Sequence, residues 1–155
     1  MPVCSSGKEA VALNWDPEAH DQWHALPEAR PDDEPLWTSL TAVLLDYGES
    51  RRATMPRNHR LKAQSPTLAQ SAHAFGDRLR TDLRTWVPGR VPGNDTLIAT
   101  PQLNLALTAS MTAYQSRQAD EDFDVLTRRT RQCLDRRAPS SPPPPHCESS
   151  PPAHY

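Results

Sequence analysis

Residues 65–86, SPTLAQSAHAFGDRLRTDLRTW, restrict the fold of this chain more than any other stretch. Leu68, Ala72, Phe75, Leu79, Leu83 and Trp86 recur every three or four positions, which keeps them on one face of a 3.6-residue helix. Arg78, Arg80, Asp82 and Arg84 take the other face. Ser65 is placed to cap the helix and Pro66 suits its first turn, where the missing N–H costs nothing. The following VPGRVPGN, with two Pro-Gly pairs, stops it. A helix with one apolar stripe of this length needs a partner surface.

The chain is short of material for that surface. Hydrophobic residues are 36% of its 155 positions and aromatic residues 6%, with 17 prolines, whereas ordinary domains are about 45–50% apolar when Gly is counted. A buried Leu or Phe contributes roughly 1.5–3 kcal/mol, and ordering one residue costs about 1.5 kcal/mol, so the net stability of such a core is small. The expectation is that a partner, another protein or a second copy, completes it.

The other helices are read from the same signals. Asp16 caps and Pro17 opens a short helix carrying Trp23, expected to end before Pro27. PLWTSLTAVLLDYGES, residues 35–50, has a stripe through Leu40, Val43, Leu44 and Tyr47, with Gly48 as the expected stop. Thr100 and Pro101 repeat the cap-and-proline arrangement ahead of Leu103, Leu107, Met111 and Tyr114, after a linker from Val87. Asp120 is the expected cap of a last helix with acidic residues first and Arg last, which complements the helix dipole. Beyond Arg137, APSSPPPPHCESSPPAHY has no apolar spacing and reads as a disordered, proline-rich tail.

Charge divides the chain. Residues 1–50 hold ten Asp and Glu against two Lys and Arg, and residues 51–155 hold nine against fifteen. The most basic window is 51–64, with Arg51, Arg52, Arg57, Arg60 and Lys62 and no acid. Read as an exposed loop, and joined by Arg128, Arg129 and Arg131 of the last helix, it gives an alternative partner: nucleic acid, bound through phosphates without sequence preference. The window has no aromatic residue to stack on a base.

Sites for chemistry are sparse. Asp16, His20 and His24, one helical turn apart, put a carboxylate and two imidazoles on one face, a partial ligand set for a divalent ion and the basis of a third, minor reading as a metal-dependent enzyme. Asp16 is better explained as a cap, so no metal and no cofactor is expected. There is no Gly-rich phosphate loop and no nucleophile elbow. Cys4, Cys133 and Cys147 are too few and too scattered for a disulfide framework. No apolar run is long enough for a signal peptide or a membrane span, which points to the cytoplasm and to no membrane partner.

The expectation is therefore all-α: a bundle of three or four amphipathic helices over residues 33–137, preceded by an acidic segment 1–32 with a short accessory helix and followed by the tail 138–155. The expected function is non-catalytic, as a protein-protein interaction or regulatory module. The residues carry no resemblance to a known family.

Overall fold

The computed structural model describes residues 17–118 and 120–137, with the side chains of 17–20, 71 and 137 excepted. Among these residues the fold is all-helical: α1 Pro17–Glu28, α2 Leu36–Ser50, α3 Met55–Gln64, α4 Pro66–Trp86, two 3-10 turns Val87–Arg90 and Pro92–Asn94, α5 Thr96–Gln115 and α6 Phe123–Arg137. The expected lead and tail, residues 1–16 and 138–155, lie outside the described residues. No described helix is long and apolar enough to cross a membrane.

The 65–86 reading holds to the residue. Ser65 Oγ accepts the Leu68 N–H at 3.4 Å, and the helix runs from Pro66 to Trp86. The two Pro-Gly pairs wind into the 3-10 turns, the second of which needs Gly93 at φ +67°.

Several boundaries differ from expectation. The basic window is not a loop: residues 55–64 form α3, with Pro56 in its first turn and buried Asn58 on its inner side, packed against α4. Five helices, not three or four, therefore lie within 33–137. Helix α1 passes through Pro27, because a proline this near the end removes one N–H bond and the Ala29 N–H still reaches the Ala25 carbonyl at 3.0 Å. Gly48 does not stop α2, which continues to Ser50, where the Arg52 guanidinium grips Glu49 at 2.7 Å. Helix α5 starts at Thr96 under an Asp95 cap, whose carboxylate accepts the Leu97 N–H at 2.8 Å, and Pro101 sits inside it. The donor missing at Pro101 would have served the carbonyl of Leu97, a residue 84% exposed whose backbone water can reach. Asp122 rather than Asp120 caps α6, accepting the Asp124 N–H at 3.0 Å.

Helix α5 is the axis. Its buried positions are Ala99, Leu103, Ala106, Ala109 and Ala113, four of them alanines. So small a face lets the backbones of α2 and α6 come close, and both pack on it together with the Val87 turn. Leu40, Val43, Leu83, Val87 and Leu134 close the core around it. Helix α4 leans instead on α3 and on the turn at its own C-terminal end, and touches α5 only lightly.

A second anchor is polar. Buried Ser39 donates to Glu34 Oε2 at 2.6 Å, Glu34 accepts from Arg30 Nε at 2.8 Å, and Arg90 Nη2 donates to Ser39 Oγ at 3.1 Å and to the Pro31 carbonyl. Arg90 thus ties the α1–α2 connection to the turn after α4. It also pairs with Asp32 at 3.2 Å, joining the acidic head to the basic body at this point.

Candidate functional site

The loose seat of α4 leaves a space beside it that opens to solvent. It is an apolar cleft of about 290 Å³, open on one side, and all six helices line it. Trp23 comes from α1, Leu44, Leu45, Tyr47 and Gly48 from α2, and Met55 from α3. Gly76, Leu79, Arg80 and Leu83 come from α4, Leu107, Ser110, Met111 and Tyr114 from α5, and Phe123, Leu126, Thr127 and Thr130 from α6. The lining is short of bulk at Gly48, Gly76 and Ser110, and a Cβ built on either glycine meets nothing within 4 Å. Protein cores are ordinarily filled to crystal density. This space opens to solvent past exposed Gly76 and half-exposed Met111, so it is a cleft in the core's edge.

Trp23 and Tyr47 meet edge to face on the cleft wall, ring centroids 5.0 Å apart at 78°. Burial pushes the Tyr47 phenol up, so it stays neutral. The Tyr114 hydroxyl is taken by Lys62 Nζ at 3.3 Å and lies 3.4 Å from His59 Nδ1. Two wall residues carry buried polar atoms with no hydrogen-bond partner among the described residues, Trp23 Nε1 and Ser110 Oγ. Among the described residues no carboxylate, imidazole or thiol lines the cleft. Its walls can shelter an apolar molecule and exclude water, and they offer no acid–base pair.

Next to the cleft, between α4 and α5, lies a polar annex of about 450 Å³ that shares Arg80, Leu107 and Met111 with it. Arg84, Asn104, Thr108, Thr112 and Gln115 complete its walls. Among the described residues its only charged side chains are the two arginines. Arg80 Nη1 also holds Asp77 at 3.1 Å, while Arg84 has no acidic partner among the described residues.

The basic residues singled out from the sequence do not form one surface strip of free cations. Arg52 is bound to Glu49 and to Asp124 Oδ1 at 2.7 Å and lies over the Phe123 ring at 4.6 Å. Arg51 lies 5.9 Å from the Phe75 ring, Lys62 holds Tyr114, and Arg129 is paired with Glu121. Arg57, Arg60, Arg128 and Arg131 remain exposed, on α3 and α6. Of the metal candidates, Asp16 and the His20 side chain lie outside the described residues, and His24 Nε2 stands 3.6 Å from Asp82 Oδ2. Among the described residues no three His, Cys, Asp or Glu converge as metal ligands would. The cleft itself escaped the sequence reading. Its one advance signal was a glycine within each of two otherwise well-formed helical stripes.

No protein-family model matches this chain, and neither does a curated protein or a solved structure.

Proposed function

We propose that this chain is a non-catalytic binding protein with a regulatory role, whose occupant enters the apolar cleft and completes the core. The observation that carries this reading is the cleft itself: about 290 Å³ of apolar space walled by every described helix, close to the lower size of ordinary ligand pockets. The partner expected from the thin composition thus becomes an apolar molecule inside the bundle, and filling the cleft is the event that stiffens the fold. Regulation follows from that coupling, since a fold short of core is firm when loaded and looser when empty.

A small neutral dye of eleven heavy atoms, 1-naphthylamine, tests it. The full chain is expected to shift the dye's emission to the blue, saturably, at micromolar concentrations. The cleft-filling variants Gly48→Leu and Gly76→Leu are expected to weaken that binding at least tenfold while keeping their helical circular dichroism. Equal binding by wild type and both folded variants would place the dye elsewhere and end the proposal.

Gly76→Ala is a milder probe. Its new methyl meets no atom within 4 Å, and replacing a mid-helix glycine by alanine stabilises by roughly 0.5–1 kcal/mol. The thermal midpoint should rise by a few degrees; a fall would show that α4 is packed more tightly than the open cleft implies.

A further inference from the structure

The annex gives the cleft an electrostatic direction. An apolar compartment opens beside a polar one whose only charges among the described residues are Arg80 and Arg84, with Asn104 and Gln115 as neutral donors beside them. The hydroxyls of Thr108 and Thr112 are committed to the carbonyls of Asn104 and Thr108, each at 2.8 Å, so they do not compete for a ligand. Among the described residues the annex has no carboxylate to hold a cation. Arg84, without an acidic partner among the described residues, is free to meet an anion at little cost, and Arg80 stands where the two spaces join.

Resting on the reading of the cleft as a binding site, we propose that its occupant is a free, medium-chain anionic amphiphile: an unbranched hydrocarbon chain ending in a carboxylate. The chain lies in the cleft and the carboxylate faces Arg84 and Arg80. Size sets the chain length. An apolar cavity of about 150 Å³ accepts one benzene, so 290 Å³ takes roughly eleven to twelve carbons by the same proportion. Charge sets the head group, because arginine pairs with carboxylate in a two-pronged, charge-assisted geometry that an alcohol cannot use and an ammonium repels. Walls from all six described helices converge on one space, which suits one small molecule better than an extended docking helix.

Calorimetric titration of the full chain with decanoate and decyltrimethylammonium, each kept below its micelle concentration, and with decan-1-ol, kept below its solubility limit, reads the inference directly. Decanoate is expected to bind roughly threefold more tightly than decan-1-ol, since Arg84 is exposed and Arg80 is already shared with Asp77, and decyltrimethylammonium more weakly than either. Affinity should fall roughly fourfold for each methylene removed from decanoate and stop rising beyond about twelve carbons. The doubly substituted chain Arg80→Gln, Arg84→Gln should bind decanoate and decan-1-ol alike, and added salt should narrow the wild-type difference.

If the alcohol and the ammonium bind as well as the carboxylate, the head-group assignment is wrong and the apolar cleft stands. Continued gain with chains of fourteen or sixteen carbons would overturn the size argument. Should binding be unaffected by Gly48→Leu and Gly76→Leu, or require vesicles in place of free amphiphile, the inference fails together with the cleft reading or in favour of a membrane surface.

Discussion

Arg90→Ala is expected to destabilise the fold by about 3 kcal/mol, near a 10 °C loss in thermal midpoint for a chain of this size. The Arg90 side chain is 6% exposed and donates to the Pro31 carbonyl, Ser39 and Asp32, while its guanidinium lies 5.4 Å from the centre of the Trp86 ring. Asp32 is fully exposed, so that ion pair contributes little. The loss arises from the buried side, where Ser39 and the Pro31 carbonyl would keep their burial and lose a charged donor. Because Arg90 Nε has no hydrogen-bond partner, part of the gain is already offset in the wild type, which keeps the estimate below the range for a broken buried ion pair. Arg90→Lys should recover less than half, since one ammonium cannot serve both acceptors in Arg90's planar arrangement. A loss below 1 kcal/mol in the alanine variant would mean that this polar tie does not hold α1 and α2 to the rest.

The same network gives an acid limb with a definite sign. The hydrogen bond from Arg30, and next that from Ser39, holds the Glu34 carboxyl below its ordinary value. A carboxyl depressed in the folded state stabilises fully above its unfolded pKa of about 4.3, and that contribution disappears as pH falls through the lower folded value. Denaturant titrations from pH 6 down to 3 should show this decline in the wild type and a shallower one in Glu34→Gln.

Leu103→Ala is expected to cost about 3–5 kcal/mol, the largest single effect on stability. Leu103 is wholly buried at the middle of α5, outside the cleft, where neighbouring alanines have already brought the backbones together. Its removal opens a hole that closely spaced helices cannot close. With total stabilities ordinarily near 5–15 kcal/mol, and this core at the small end, much of the fold's margin would be lost. Leu79→Ala is the counterpart. Leu79 borders a space that is already empty, so its truncation forfeits fewer contacts and should cost about half as much or less. Equal losses at 79 and 103, measured by denaturant unfolding, would say that the cleft is as tightly packed as the core.

Helix α4 was legible because cap, proline, apolar period and terminating Pro-Gly pairs all agree between Ser65 and Gly93. Helix α3 was not, because five cations in residues 51–64 outweighed the few apolar positions, Met55 and Leu61 among them, and because its helicity depends on packing against α4. The start of α5 was misread since Thr100-Pro101 imitates a helix start, while the true cap, Asp95, follows a Pro-Gly turn that looks like linker. Glycine at 48 and proline at 27 end helices only when the chain has somewhere else to go, and here packing carries the helix past both. The cleft depends on side-chain sizes meeting across six helices, a relation that no single stretch of sequence contains. Gly48 and Gly76 are each unremarkable alone, and only the fold sets them on the wall of the same space.

The most direct test of the central claim, that an occupant of the cleft completes this core, is the thermal midpoint of the full chain against increasing decan-1-ol, a ligand chosen to bear on the cleft alone. At a free concentration one hundred times the dissociation constant, linkage gives about 2.7 kcal/mol, or roughly 10 °C. That rise is expected in the wild type and is lost in the Gly48→Leu, Gly76→Leu double variant, whose midpoint without ligand is at least that of the unliganded wild type. A flat wild-type midpoint, or the same rise in both proteins, would contradict it.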